Sequence, residues 1–273
     1  MSPLAATAGG ATSESPPAGS LLALKGFTKS FGAVQALKDV DFSVEAGEVV
    51  GLVGANGAGK STLLLALTGL IEPSSGVIDI GGTVLSKRTA PEVRRRLGFI
   101  FQDPEDQLFM PTVFDDVAFG PINQGVTGEA LAARVASALE SVGAGHLADR
   151  PGYRLSGGEK RSAAIAAVLS MGPEILLMDE PSSGLDPKGR RGLIDLLAGF
   201  PHTRLIAAHD LDLVLDVCLR TIVLHRGEVA ADGPTLEIFR DRDLLERCSL
   251  EPPLSLQGLS GGRTAPDDVT LGR

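Results

Sequence analysis

The stretch Gly54-Ala55-Asn56-Gly57-Ala58-Gly59-Lys60-Ser61-Thr62, GANGAGKST, decides the fold. It carries the pattern G-x-x-x-x-G-K-[ST], a loop that leaves a strand, turns on its glycines and opens a helix. The glycines let successive backbone N–H groups face one anion, and the helix start adds partial positive charge. Lys60 would reach the β- and γ-phosphates of a nucleotide, and the Ser61 hydroxyl would reach Mg²⁺. The flanks suit that context. Upstream, Glu48-Val49-Val50-Gly51-Leu52-Val53 is a short apolar run of strand type. Downstream, Thr62 to Leu70 is dense enough in apolar residues for a buried helix, which Gly69 helps to end. A plain Gly-rich turn before a helix is the blander reading, and the strand–loop–helix context weighs against it.

Before the loop, Leu21 to Phe31 and Leu37 to Val44 read as two strands of an antiparallel hairpin. Phe31 stands out because aromatic residues make up 4% of the chain. It is either a platform for a nucleotide base or an ordinary hairpin core residue. Residues 1–19 are mostly Ala, Gly, Ser, Thr and Pro, cannot offset their ordering entropy by burial, and read as a disordered tail.

After the loop helix, Gly76 to Gly82 reads as a strand and turn, and LGFIFQ (97–102) as a buried strand with a polar end. The acidic turn DPEDQLFMP (103–111) precedes helical segments at 112–119 and 128–142. The segment LSGGEKR then opens a nearly all-apolar helix over 155–171, which should be buried on every side. EILLMD (174–179) is a strong buried strand. Further helices are expected at 187–199, 210–218 and 234–247, a strand at 204–208, and a hairpin over 220–225 and 227–232. Strands alternating with helices give an α/β fold of the P-loop NTPase type with a mainly parallel sheet. An antiparallel β subdomain lies at its N-terminal side, and a helical subdomain is inserted at about 103–170. The domain spans 20–247, and the Pro-, Gly- and Ser-rich tail 248–273 reads as disordered or docked on a partner.

Bulk properties narrow the function. The 273 residues allow one large α/β domain or two small ones, and a net charge of −9 argues against a nucleic-acid partner. Cys218 and Cys248 match no metal-site spacing and read as free thiols in a reducing compartment. No apolar run is long enough to span a bilayer, and the first residues do not form a secretory signal. The expected place is cytoplasmic, with any membrane attachment made through another protein.

Phosphoryl transfer to water needs phosphate positioning, a metal, an oriented water and charge stabilisation. Asp179, ending EILLMD, is placed to reach Mg²⁺, directly or through water. Glu180 follows on the turn and is the natural general base or water-orienting group. His209 comes just after a second apolar strand, and Gln102 ends a third; Gln102 could touch the ion or the water. Taken singly, each of these is an ordinary turn or cap residue. Four polar residues at the ends of different strands around one phosphate loop make a stronger case. LSGGE (155–159) is a second anion-binding helix start, with Ser156 as its cap and the N–H groups of Gly157 and Gly158 left open. One nucleotide rarely needs two such termini from one subunit, so a dimer that offers LSGGE to its neighbour's nucleotide is implied.

Together these residues resemble the ATP-binding cassette (ABC) transporter ATPases, from about Leu21 to Leu245. GANGAGKST is similar to their Walker A loop, which implies that Gly54, Asn56, Gly57, Ala58, Gly59, Lys60, Ser61 and Thr62 bind ATP. Gln102 is similar to the Q-loop glutamine, LSGGE to the signature, ILLMDE (175–180) to Walker B with its catalytic Glu180, SGLDP (183–187) to the D-loop, and His209 to the switch histidine. Phe31 falls where that family's adenine-stacking aromatic sits. The resemblance implies two ATP molecules sandwiched between head-to-tail subunits, in a homodimer. The γ-phosphate would be held by Lys60, Gln102 and His209 of one chain and by Ser156 and Gly158 of the other, with Gly157 beside them. Mg²⁺ would be held by Ser61, Gln102 and Asp179, and Asp186 would connect the two sites.

A narrower likeness is to the ATPases of energy-coupling-factor importers, carried by FQDPEDQLF (101–109) and VFDDVAFGP (113–121). It implies a transmembrane coupling protein seated in a groove beside Gln102, for which Leu108, Phe109 and Met110 are the candidates, and a substrate-capture membrane protein. LSGGEKR and residues 207–235 are more similar to the cobalt/nickel branch than to the vitamin (biotin-type) branch. The chain would then work as a peripheral subunit at the cytoplasmic face of the inner membrane. The departures are Ala55 in place of a common proline, which loosens the turn without removing a phosphate ligand, and Ser162-Ala163 in place of a bulkier pair. A soluble ABC ATPase acting on DNA or ribosomes is the rival. It is disfavoured by the acidic charge, the short span from Lys60 to Ser156 and the single GKST. A GTPase would need an N-K-x-D motif, which does not occur.

Overall fold

Along Ser20–Phe31 (β1) and Val34–Glu45 (β2) the apolar side chains Leu22, Leu24, Phe27, Leu37, Val40, Phe42 and Val44 all reach one buried layer. The two strands pair antiparallel, with a break in register between Leu24 and Phe27 where Gly26 takes φ +55°. That irregularity bends the ribbon over the layer beneath it. Val49–Val53 (β3) leads into the loop and Lys60–Leu67 (α1). Ser75–Ile80 (β4) and Thr83–Val84 (β5) complete the outer sheet, ordered β2-β1-β4-β5. Ala90–Arg96 (α2) then carries the chain to Leu97–Ile100 (β6).

The inserted subdomain contains Val113–Asn123 (α3), Gly128–Ser141 (α4) and Gly157–Leu169 (α5). The chain returns through Ile175–Asp179 (β7), Pro187–Ala198 (α6), Thr203–Ala207 (β8) and Leu211–Val217 (α7). It closes with Arg220–His225 (β9), Glu228–Pro234 (β10), Thr235–Arg240 (α8), Arg242–Arg247 (α9) and Leu254–Gln257 (α10).

The computed structural model describes residues 20–257. The tail expected at 1–19, and the last part of the C-terminal one, lie outside the described residues.

The second sheet is ordered β10-β9-β3-β8-β7-β6, parallel except for β10. Its strands are buried on both faces, and consecutive residues sort to opposite sides, as a two-residue period requires. Val50, Leu177, Leu205 and Ile222 join the layer under β1 and β2, together with Leu63, Leu64 and Leu67 of α1. Leu176, Met178, Ile206 and Val223 face the other way, into the core shared with α3, α4 and α5. α5 is buried along its length after the first turn, as its all-apolar sequence implies. The α/β fold, the antiparallel N-terminal sheet and the helical insertion therefore match the expectation.

Several details differ from it. The helix expected over 234–247 breaks at Asp241, whose carboxylate accepts from the Leu244 N–H and starts a new helix. α2 and β5 were not expected. The tail beyond Cys248 does not leave the domain at once. Leu254 and Ser255 donate their N–H groups to Asp212 at 2.9 and 3.0 Å, so this part docks on α7 of its own chain. Both cysteines are free and buried, and burial pushes the Cys218 thiol up to about 12. No described helix is long and apolar enough to cross a membrane.

Candidate functional site

The loop after β3 is shaped by its glycines and braced from below. Gly59 takes φ +109° as the residue before α1, a conformation that side chains resist. A Cβ on Gly54 would lie 2.4 Å from the Leu224 carbonyl oxygen, so the loop can pass β9 only with glycine there. Gly227, in the turn after β9, donates its N–H to the Ala58 carbonyl at 3.1 Å and accepts from the Lys38 N–H at 2.7 Å. The hairpin β9–β10 thus clamps the loop against β2.

α1 has no side-chain cap and no acidic residue in its first turn. Its first N–H groups are therefore free to meet an anion. Asn56, Gly57, Ala58, Gly59, Lys60, Ser61 and Thr62 line a cavity of about 310 Å³, joined by Ala36, Gln102, Glu180 and His209. Three strand ends, those of β6, β7 and β8, thus meet the loop in one place.

Lys60 is 6% exposed, and its ammonium donates to the Gly54 carbonyl at 2.8 Å and lies 3.1 Å from His209 Nε2. Burial lowers its pKa, against the pull of Glu180 and Asp179. Glu180 follows β7 with φ +47°, a backbone state that costs about 1–3 kcal/mol and persists where the surroundings enforce it. One carboxylate oxygen accepts the His209 backbone N–H at 2.9 Å, and the other lies 3.4 Å from His209 Nε2 and 4.0 Å from Lys60 Nζ. Burial raises the Glu180 pKa above the ordinary carboxylate range, opposed by His209 and Lys60.

Asp179 Oδ1 and Glu180 Oε1 are buried and have no hydrogen-bond partner. Unpaired buried oxygens are costly, so they mark a place where a cation or water belongs. Among the described residues, no group of three or more His, Cys, Asp or Glu could hold a metal ion by itself. Any ion here would draw most of its ligands from phosphate and water. Gln102 lies beyond the end of β6 and donates to Ser183 Oγ at 3.5 Å.

Phe31 is 50% exposed at the end of β1, with Lys29 Nζ 4.8 Å from its ring centroid. It is not a hairpin core residue. It does not line the loop cavity, and neither do Gly54 and Asp179, which lie behind it.

The remaining sequence candidates lie elsewhere. Ser156 caps α5 in a complete capping box with Glu159. Asp186 caps α6, accepting the Gly189 N–H at 2.6 Å. Ser156, Gly157, Gly158 and Asp186 line a separate cavity of about 780 Å³ between the helical subdomain and α6, sharing no residue with the loop cavity. The chain thus presents two helix starts on two distinct surfaces, that of α1 without a side-chain cap and that of α5 closed by its own capping box. Sequence reasoning missed Ala36 and the Gly227 clamp, because an alanine and a turn glycine carry no signal until the fold brings them together.

A third feature is an apolar groove of about 380 Å³ lined by Leu70, Phe99, Phe101, Phe109, Phe119 and Met171 among others. Phe109 and Phe119 stack edge to face at 5.2 Å and are exposed. Of the three residues expected there, Phe109 does line the groove. Leu108 instead packs on the helical core, and Met110 is held back by the same carboxylate that fixes Phe109. That carboxylate is Asp116, 4% exposed, which accepts from the N–H groups of Phe109 and Met110 at 2.9 Å each.

Burial raises the Asp116 pKa, and its second oxygen is unpaired. A raised folded-state pKa means that the protonated form favours the fold: this contribution is present below the unfolded pKa and lost as pH rises through the folded one. Asp116→Asn keeps the acceptor and removes the charge. It should raise the melting temperature at pH 8, with the gain shrinking as pH falls through the raised folded-state pKa toward the ordinary carboxylate value of about 4. A lower melting temperature for the variant at pH 8 would contradict this.

Residues 37–183 match the family described as ABC transporter. A protein of Geobacter sulfurreducens named only as an ABC transporter ATP-binding protein is 58% identical, over 82% of this chain and 90% of that protein. The energy-coupling factor transporter ATP-binding protein EcfA of Methanothermobacter thermautotrophicus is 43% identical, over 86% of this chain and 78% of that one. Among solved structures, cbiO1 of Clostridium perfringens, part of the ABC transporter complex cbiONQ, is 35% identical with a TM-score of 0.77, covering 84% of this chain and 94% of that one.

Proposed function

This chain belongs to the ABC transporter ATPase family, and from that premise we propose that it is the ATP-hydrolysing subunit of an energy-coupling-factor importer for cobalt or nickel ions. The observation that carries the ATPase reading furthest is the separation of the two helix starts. The loop of α1, with Lys60, binds the phosphates of ATP. The Ser156–Gly158 turn, on another surface, completes the site of a second copy of the chain. In such a head-to-tail dimer Glu180 orients and deprotonates the attacking water through the oxygen that makes no hydrogen bond. Lys60, Gln102 and His209 hold the γ-phosphate, and Phe31 stacks on the base.

The unpaired Asp179 oxygen and the hydroxyl of Ser61 at the helix start form a hard-oxygen donor set that suits Mg²⁺, with Gln102 at the rim. When bound, Mg²⁺ neutralises charge on the β- and γ-phosphates. Asp186, beside the Ser156 turn, connects the two sites.

The importer reading is supported by the exposed apolar groove, which fits a helix of a transmembrane coupling protein better than solvent. It is supported as well by the relatives named for energy-coupling-factor transport and for the cbiONQ complex. A substrate-capture membrane protein completes the assembly, and the chain sits peripherally at the cytoplasmic face of the inner membrane. The choice of metal over vitamin rests on LSGGEKR and residues 207–235. ATPase activity of the chain purified with its membrane partners should rise when Co²⁺ or Ni²⁺ is supplied. Stimulation by biotin with no response to either metal would overturn the cargo assignment.

A further inference from the structure

After Cys248 the chain stays on the domain and is held beside the phosphate loop. Leu250 and Leu256 pack on the core to which α7 contributes, and the two Asp212 oxygens accept the N–H groups of Leu254 and Ser255 at 2.9 and 3.0 Å. Glu251, Leu254 and Gln257 of this segment line a cavity of about 430 Å³ together with Ala55, Asn56 and His209. Asn56 and His209 also line the loop cavity, so the two spaces meet at those residues.

The residues that follow Gln257 read Gly258-Leu259-Ser260-Gly261-Gly262-Arg263 and lie beyond the described ones. LSGG therefore occurs twice in the chain, at 155–158 and at 259–262. The copies part at the third residue after the serine. In the first, Glu159 accepts the Ser156 N–H and hydroxyl and closes the turn on itself. In the second, Arg263 stands at that offset, so a cation that can fork onto phosphate oxygens replaces the closing carboxylate. A Gly- and Ser-rich tail can carry four such letters by composition alone. Its delivery to the rim of the phosphate site by Asp212 is the independent observation.

We propose that residues 259–263 are an internal counterpart of the Ser156–Gly158 turn, which seats on the chain's own loop cavity and binds the terminal phosphate of ATP there until the partner's turn displaces it. This rests on the composite-site reading above, because the face taken is the one that reading leaves for the second copy. Extended, the six residues from Gly258 to Arg263 span up to about 20 Å, enough to cross a cavity of this size. A one-residue link to a docked segment gives an effective concentration of the order of millimolar, well above that of a free second chain in dilute solution. Ser260 and the N–H groups of Gly261 and Gly262 supply neutral donors, and Arg263 supplies the charge. The tail thus holds ATP in the single chain and sets a concentration threshold for pairing.

The test reads phosphate contact in a full-length chain that cannot pair. Ser156→Arg blocks the turn offered to the partner, at an exposed position outside the loop cavity. Adding Arg263→Glu to it should raise the Kd for ATP about tenfold, the loss of a charge-assisted hydrogen bond to phosphate. The Kd for ADP, which lacks the terminal phosphate, should stay within about twofold. An unchanged Kd for ATP, or equal weakening of ATP and ADP, would overturn the proposal.

A second readout needs no change at Ser156. In full-length Glu180→Gln, adding Arg263→Glu should lower about fivefold the chain concentration at which ATP produces dimers by light scattering, and no change or a rise would overturn the proposal. If Ser156→Arg in the Glu180→Gln background still dimerises on ATP, the composite-site reading fails and this proposal with it. If that chain stays monomeric and Arg263→Glu leaves its ATP affinity unchanged, this proposal alone fails.

Discussion

Glu180→Gln should bind ATP with near-normal affinity and hydrolyse it about 10²–10⁴-fold more slowly, the usual worth of a positioned general base. The substitution keeps the shape of the side chain and keeps an oxygen to accept the His209 N–H, now at 2.9 Å. It removes the basic oxygen that lies buried without a hydrogen-bond partner at the cavity wall. It also removes the negative charge 4.0 Å from Lys60, which leaves that ammonium more available to phosphate. Binding without turnover should trap ATP, and with it the dimer that two composite sites imply. Single-turnover hydrolysis and light scattering with ATP check both halves. A variant that turned over at the wild-type rate would remove Glu180 from its assigned role.

Lys60→Ala should fail earlier, at binding. The ammonium is 6% exposed and aimed by the Gly54 carbonyl, so little side-chain freedom remains to be lost when a phosphate arrives. A charge-assisted hydrogen bond is worth roughly 1.5–3 kcal/mol, and Lys60 would make at least two. Their loss should raise the Kd for ATP about 10²-fold or more. The fold should survive, because the variant also relieves the burial that lowers the Lys60 pKa. Equilibrium binding of labelled ATP measures the effect, and unchanged affinity in a folded variant would contradict it.

The legible part of this molecule is the part written in periods and glycines. Val50 to Val53 and Ile175 to Met178 are apolar at every position because both faces of their sheet are covered, and such runs between turn residues read as buried strands. GANGAGKST is readable because only glycine suits the φ of Gly59 and the approach of Gly54 to Leu224, and LSGGE because Ser156 and Glu159 stand at capping-box spacing.

What was not legible depends on long side chains that act across the fold. α2 reads as a polar run, APEVRRR, with only Ala90 and Val93 buried. It is held by Arg94, which caps the carbonyls of Thr68 and Gly69, and by Arg96, which bridges Glu174 and the Ile80 carbonyl. No periodicity reports such contacts. Leu108 and Phe109 look alike as neighbours in a groove motif, yet one turns inward and the other outward. The deciding group is Asp116, several residues later. Asp212 catches the C-terminal segment from a helix some forty residues away, so a Pro-rich tail that reads as loose is docked where it leaves the domain. Arg161 stood within a recognised motif, and only the fold shows that it grips the Phe101 and Gln102 carbonyls.

The composite site is tested most directly by mixing two disabled chains. Both carry Glu180→Gln to retain bound ATP; one adds Lys60→Ala and the other Ser156→Arg. Neither chain alone can form a complete site. If the Ser156 turn serves the other copy, the mixture contains dimers with one intact site, and about one ATP per two chains should be retained in them. If the mixture of folded chains retains no ATP beyond that of either chain alone, the site is not shared between subunits.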